Sequence, residues 1–245
     1  MIRFRLAGIP VTINPSFLVV AALLGLSSRR LDFVFAWIGV VFVSILVHEL
    51  GHALTARAFG AEVEIELNAI GGLTSWSGAG DGFGPGRRAV VAAAGSAVGV
   101  LFGGSIWLIA RLSGPFSDVT GFIVTNLIWV NVFWGLLNWL PIRPLDGGHL
   151  LVSLLQKLTP KRAVPIANAV FLITALCALA AALWFRSLFI ILLAGWLVMG
   201  ELTRGRPRRP PTAIPQMSFD PPESEPDGPG PGAGIPEPDP EQADG

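Results

Sequence analysis

The sequence predicts an all-α polytopic membrane protein with about six transmembrane helices, a short membrane-associated β-strand or hairpin element and a disordered C-terminal tail. Hydrophobic residues make up 52% of the 245 residues, whereas charged residues make up only 14%. The apolar residues fall in long runs separated by polar segments, as in chains whose helices cross a bilayer. The formal net charge is zero, so overall electrostatics indicates no nucleic-acid partner.

Six apolar runs are the candidate spans. The first and last are short against the roughly 20 residues that a helix needs to cross the hydrocarbon core. A break at Arg186 separates the last two runs, and fusing them gives a five-span alternative. The runs lie near residues 15–27, 33–56, 89–110, 119–140, 164–185 and 187–202.

The basic residues orient these spans, because cytoplasmic segments of membrane proteins are enriched in Lys and Arg. With six spans, thirteen of the 17 Lys and Arg residues fall on one side of the membrane. We therefore expect a multi-pass protein of the cell membrane with both termini in the cytoplasm. Five spans would move the basic cluster at residues 204–209 outside, which the rule disfavours.

Short polar segments alternate with the period of a β-strand. Residues 2–6 and 11–13 alternate near the N-terminus, and residues 63–67 alternate before Gly71-Gly72, which predicts a strand and a turn. An exposed strand edge could accept an extended peptide, although an ordinary cytoplasmic loop fits the same pattern.

The composition changes abruptly from Arg204 onward to Pro, Gly and acidic residues, which cannot bury a core. We therefore expect an integral-membrane domain over residues 1–203 and a disordered cytoplasmic tail over residues 204–245.

The pentapeptide His48-Glu49-Leu50-Gly51-His52 closes the second apolar run. On a helix, two histidines four residues apart share a face, and Glu49 can reach a water that a metal would hold between them. The pattern also arises by chance, and such histidines can be hydrogen-bonded core residues. An uncharged span and the use of two of only three histidines favour a hydrolytic zinc site.

A catalytic zinc normally has three protein ligands and one open position, so a third ligand is needed. The candidate is Asp146, in the segment after the fourth span. Prolines at 141 and 144 end that helix, and Gly147-Gly148 permits tight backbone geometry. If the fourth span runs parallel to the second, Asp146 arrives at the same cytoplasmic depth as His48 and His52.

Together, these segments resemble the site-2 protease family of intramembrane zinc metalloproteases. Residues 48–52 match the first motif of the family, and residues 138–148 are similar to its Asn-x-x-Pro-x-x-x-Leu-Asp-Gly motif. The resemblance covers roughly residues 1–200. It implies a compact member, without PDZ or CBS domains, that hydrolyses peptide bonds in single-span membrane proteins within the lipid bilayer.

Residue by residue, the resemblance implies one Zn²⁺ per chain, held by His48, His52 and Asp146. It implies that Glu49 is the general base and that Asn138 helps to stabilise an oxyanion or to orient the substrate. Gly71-Gly72 resembles the glycine pair of a membrane-associated loop that the family places near the substrate strand.

One segment departs from the family pattern. Many members carry Gly-Pro-x-x-Asn in the third span, whereas residues 95–99 here lack both the Pro and the Asn. This departure leaves open the substrate contacts of that helix.

Other polar residues near the site have simpler interpretations. We expect His149 to form a hydrogen bond to a metal ligand and not to bind the metal itself. We expect ordinary interhelical or loop hydrogen bonds from Asn131 and Asn68. A non-catalytic metal-binding membrane scaffold or transporter is the alternative function.

Overall fold

A bundle of helices with a small sheet at one end forms the described part of the protein. The computed structural model describes residues 1–26, 30–77, 83–186 and 188–204. A π-helical turn, Val130–Trp134, joins a helix that ends at Trp129 to a short helix that begins at Gly135. The elements are β1 (Ile2–Leu6), β2 (Ile9–Ile13), α1 (Pro15–Gly25), α2 (Leu31–Ala58), β3 (Glu62–Asn68), β4 (Gly71–Ser77), α3 (Pro85–Leu112), α4 (Asp118–Trp129), α5 (Gly135–Leu137), α6 (Asp146–Leu158), α7 (Ala163–Trp184) and α8 (Leu188–Arg204).

Four helical segments are long and apolar enough to cross a membrane. They are α2, α3, the α4–α5 segment and the segment that ends with α7. The shorter α1 and α8 coincide with the first and last predicted runs, so the total of six spans remains a prediction. The break near Arg186 is confirmed, because α7 ends at Trp184 and Arg186 adopts a φ of +53°.

The three predicted strand segments pair with a fourth strand, β4, in one sheet, which their alternation alone did not predict. Gly71 and Gly72, where a turn was predicted, begin β4, and the turn lies at residues 69–70. The strand order is β1-β2-β3-β4, with antiparallel outer pairs and a parallel central pair, β2 and β3. Ile9, Val11, Ile65 and Leu67 are buried on these central strands, in one cluster with Ala53 of α2. The sheet is therefore anchored on the C-terminal half of α2.

Helices α2 and α3 pack with their backbones almost in contact. A Cβ atom added to Gly51 would lie 2.8 Å from the carbonyl oxygen of Ala94 and 2.9 Å from the Cα of Gly95. Small residues permit this approach, as is common between membrane helices. The second half of α2 is consequently fixed against the first half of α3.

The segment after the fourth predicted span is not only a loop, because it contains the 13-residue helix α6. This helix packs against α3 and α7. Its apolar residues recur at helical spacing among polar residues such as Gln156 and Lys157, so it lacks the continuous apolar run by which the spans were recognised. Arg204, the first residue of the predicted tail, ends α8, and the rest of the predicted tail lies outside the described residues.

Candidate metal and catalytic centre

Helix α2 presents His48 and His52 on one face. Their Nε2 atoms lie 3.1 Å apart, and their ring centroids are separated by 4.8 Å. The spacing of four residues produces this arrangement, because it is close to one turn of an α-helix. His52 is 7% exposed, so one of the two imidazoles is almost fully inside the protein.

Asp146 is the first residue of α6, and it meets both histidines. Its Oδ2 lies 3.1 Å from Nε2 of His48 and 3.3 Å from Nε2 of His52. Burial alone would raise the pKa of Asp146, but the interactions with the two neighbouring imidazoles outweigh burial and lower the pKa below its usual value. The carboxylate is therefore the form present at neutral pH, and it is the form that binds metal.

The backbone before Asp146 is folded tightly around the two glycines that follow it. The N–H of Gly147 donates to the carbonyl oxygen of Asn138 at 2.7 Å, and the N–H of Gly148 donates to that of Leu145 at 3.0 Å. A side chain at Gly147 would overlap the carbonyl groups of Trp139 and Leu140. The double glycine thus allows the compact turn that directs Asp146 toward α2.

The three predicted ligands fit a metal ion by both distance and chemistry. Their ligand atoms form a triangle with edges of 3.1, 3.1 and 3.3 Å. Zinc bonds of about 2.0–2.2 Å in a tetrahedral site separate ligand atoms by roughly 3.3–3.6 Å, close to these values. Two imidazoles and one carboxylate are also a ligand set of catalytic zinc sites, with a fourth position left for water.

Helix α3 fixes the orientation of His52. Nδ1 of His52 lies 2.7 Å from the carbonyl oxygen of Val91, and this acceptor assigns the ring proton to Nδ1. Nε2 is then the nitrogen with the lone pair that a metal needs. One turn along α3, a Cβ atom at Gly95 would overlap Nε2 of His52, so glycine is required for the ring to fit.

Ser96, which belongs to neither sequence motif, holds the third predicted ligand. Its hydroxyl donates to Oδ2 of Asp146 at 3.0 Å, and its side chain is completely buried. Hydrogen bonds of this kind orient metal ligands and raise metal affinity. The available signal was a hydroxyl beside Gly95 in an apolar span, at the position where many family members have proline.

Glu49 points to the sheet, where β4 encloses its carboxylate. The side chain is buried, with 6% exposure, and its Oε2 accepts a hydrogen bond of 2.6 Å from the hydroxyl of Thr74. A Cβ atom on Gly72 would overlap Cγ and Oε1 of the same glutamate. Gly72 belongs to the predicted glycine pair, whereas the part played by Thr74 was missed.

Four further polar residues were predicted from the sequence to support the site or the packing of the helices. Asn138 directly follows α5, and its carbonyl oxygen receives the N–H of Gly147, while its predicted oxyanion role remains a prediction. His149 is exposed. Asn131 forms the predicted kind of interhelical bond, donating to Ser44 of α2 at 2.8 Å, and Asn68 accepts from the N–H of Ile70 in the β3–β4 turn.

The sequence is similar to known zinc metalloproteases. Residues 116–180 match the family described as Peptidase family M50. A putative zinc metalloprotease of Synechocystis sp. is 35% identical over 170 residues, which are 63% of this chain and 44% of that protein. A zinc metalloprotease of Methanocaldococcus jannaschii is 28% identical over 160 residues, 63% of this chain and 45% of that protein.

The fold is similar to that of the site-2 protease from Methanocaldococcus jannaschii. The two structures superpose with a TM-score of 0.59 and 25% sequence identity, over 86% of this chain and 98% of that chain. The match to the two curated metalloproteases, in contrast, spans somewhat less than half of their length. The structural similarity thus extends over most of this chain.

Proposed function

We propose that this chain belongs to the site-2 protease family, Peptidase family M50, and that it is a zinc-dependent endopeptidase that cleaves peptide bonds within or near the transmembrane segments of membrane proteins. The observation that carries this proposal is the convergence of His48, His52 and Asp146 beside Glu49. His48, Glu49 and His52 come from one helix, and Asp146 comes from a distant part of the chain.

His48, His52 and Asp146 would hold the zinc ion. When bound, zinc lowers the pKa of a water ligand toward neutrality and polarises a carbonyl oxygen. The uncharged span before His48 keeps the site at the edge of the hydrocarbon. Water therefore has to reach the site through a polar path from the cytoplasmic side, where the C-terminal end of α2 lies under the proposed orientation.

Glu49 acts as the general base in this proposal. Its carboxylate accepts the proton of the attacking water and then donates it to the leaving amine. Asn138, at the end of α5, is proposed to stabilise the oxyanion or to orient the substrate.

The orientation is part of the proposal. Strand β2 precedes α1 and β3 follows α2, and the two strands are neighbours in one sheet, which supports a common side for both segments. Thirteen of the 17 basic residues fall on that side when six spans are counted. We therefore propose a multi-pass protein with its N-terminus and its tail, residues 204–245, in the cytoplasm.

The substrate is proposed to be a single-span membrane protein that binds as an extended segment. A transmembrane helix hides its carbonyl groups in i to i−4 hydrogen bonds, so the substrate has to unwind before hydrolysis. Strand β4 is an edge strand of the sheet among the described residues and lies directly against Glu49. An unwound segment that adds to β4 as a further strand would be held close to the base.

The change Glu49→Gln tests the catalytic role without removing a metal ligand. The purified protein is incubated in detergent micelles with synthetic single-span peptides whose apolar segments contain helix-weakening Gly and Asn residues. Cleavage is followed by mass spectrometry. We expect a loss of at least about 100-fold in cleavage rate, because the general base is removed. Metal analysis should still find one zinc ion per chain.

The matched control is Glu64→Gln, because Glu64 is an exposed glutamate on β3. This variant should cleave the peptides at the wild-type rate. If Glu49→Gln cleaves as fast as the wild type, Glu49 is not the general base. If the wild type binds zinc but cleaves none of the peptides, a non-catalytic metal-binding scaffold or transporter is favoured instead.

A further inference from the structure

Strand β4 contacts both oxygens of the carboxylate that the proposed function makes the general base. Gly72 and Thr74 are two residues apart, so both face α2 from the same side of the strand. The Thr74 hydroxyl donates to Oε2 of Glu49, and the bare backbone at Gly72 makes room for Oε1. Leu73 and Ser75, on the opposite face, are exposed.

The hydrogen bond from Thr74 is specific for the side chain of Glu49. The hydroxyl has one proton and two acceptors nearby, Oε2 at 2.6 Å and the backbone carbonyl oxygen of the same residue at 3.2 Å. The shorter distance assigns the proton to the carboxylate. Because both side chains are less than a tenth exposed, water competes poorly for this bond.

We propose that Thr74 is the positioning residue for the general base, so that the edge strand which receives the substrate also sets the direction of the Glu49 carboxylate. This inference rests on the proposed function. Substrate binding and proton transfer are then coupled through the same strand, β4. A substrate segment paired with β4 would be held by the backbone of the strand, and the base would be held by its side chains.

Thr74 faces α2 and not the free edge, so its hydroxyl is separate from the backbone groups that would pair with a peptide. Removing the hydroxyl should therefore lower kcat and leave KM nearly unchanged. A role confined to folding would instead reduce the amount of active enzyme, its zinc content or its thermal stability. Measurements of kcat, KM, zinc content and thermal stability therefore distinguish a positioning role from a folding role.

The test compares Thr74→Val with Thr74→Ser on the peptides described above. Valine has nearly the shape of threonine and suits a strand, but it leaves the carboxylate without its donor. We expect kcat to fall roughly 10- to 100-fold in Thr74→Val, part of the contribution of a general base. Zinc content should stay at the wild-type value, and Thr74→Ser should recover most of the rate.

Thr159→Val is the matched control, because it makes the same change at an exposed threonine, whose hydroxyl donates to the carbonyl oxygen of Leu155 at the far end of α6 from Asp146. It should leave kcat unchanged. If the wild type cleaves the peptides and Thr74→Val cleaves them equally fast, the positioning role of Thr74 is overturned, whereas the proposed function stands. The same conclusion follows if Thr74→Ser is as slow as Thr74→Val, or if both lose zinc. Failure of the wild type to cleave any peptide would contradict the proposed function itself.

Discussion

Two helix pairs in this protein are joined to their surroundings in different ways. At the α2–α3 crossing, Gly51 and Gly95 bring two backbones so close that no side chain fits between them. The pair of α7 and α8 packs on itself, and α7 packs on α6. One cation, Arg143, links the α7–α8 pair to the turn before Asp146. It contacts Glu201 at 3.3 Å, Asn168 at 3.0 Å and the ring of Phe171 at 4.4 Å.

The difference shows how the metal centre is kept rigid. Close packing leaves no freedom at the crossing that holds His52, because backbone atoms cannot move aside as a flexible side chain can. The α7–α8 pair depends on a charged side chain with several partners. We therefore expect changes at the crossing to remove the metal site, and changes at Arg143 to loosen α7 and α8 while the metal stays bound.

The largest effect is expected from Gly95→Ala. The added methyl group would overlap the His52 ring, so the ring must leave its position or the two helices must separate. Overpacking of this kind costs about 1–3 kcal/mol in stability, and here it also displaces a predicted metal ligand. We expect loss of zinc and of peptide cleavage, measured by metal analysis and mass spectrometry.

Gly104→Ala is its control on the same helix, because a Cβ atom there has no neighbouring heavy atom within 4 Å. This change should preserve zinc binding and leave stability unchanged or raise it by up to about 1 kcal/mol. Equal zinc contents in the two variants would contradict the role assigned to close packing at Gly95.

A smaller effect is expected from Ser96→Ala, which removes the hydroxyl bound to Asp146 without adding volume. Loss of a hydrogen bond to a metal ligand typically lowers metal affinity about 10- to 100-fold. Competition with a chelator measures this change, and the d–d spectrum of the cobalt-substituted protein should shift. Ser105→Ala is the control, because its hydroxyl bonds only the carbonyl oxygen of Leu101 on the exposed side of α3. Unchanged affinity in Ser96→Ala would show that the crossing alone orients Asp146.

The smallest effect on the metal is expected from Arg143→Met, which keeps an apolar stem over Phe171 but removes the charge. Hydrogen bonds to charged groups contribute about 1.5–3 kcal/mol, so α7 and α8 should lose stability of this order. Faster hydrogen exchange confined to these helices measures the loss, with zinc affinity nearly unchanged. Arg143→Lys should recover only part of it, because lysine lacks the planar group that stacks and pairs at once. Simultaneous loss of zinc would show that the cation also positions Asp146.

Local features of the site followed directly from the sequence. A spacing of four residues on an apolar helix placed His48 beside His52, and the alternation in residues 63–67 predicted strand β3. The turn with Gly147-Gly148 was predicted from the conformational freedom of glycine. In contrast, α6 was missed because it is amphipathic: polar residues interrupt its apolar residues every few positions, so it contains no long apolar run.

The sequence by itself determined which residues are able to bind metal and which segments are able to cross a membrane, because both depend on the chemistry of neighbouring residues and on the period of one helix. Only the tertiary structure decided that Ser96 reaches Asp146 across 50 residues, that Thr74 reaches Glu49 across 25, and that Arg143 reaches Glu201 across 58. These bonds depend on how closely separate helices and strands approach. That distance is set by packing across the whole fold, for which no local pattern of residues provides a signal.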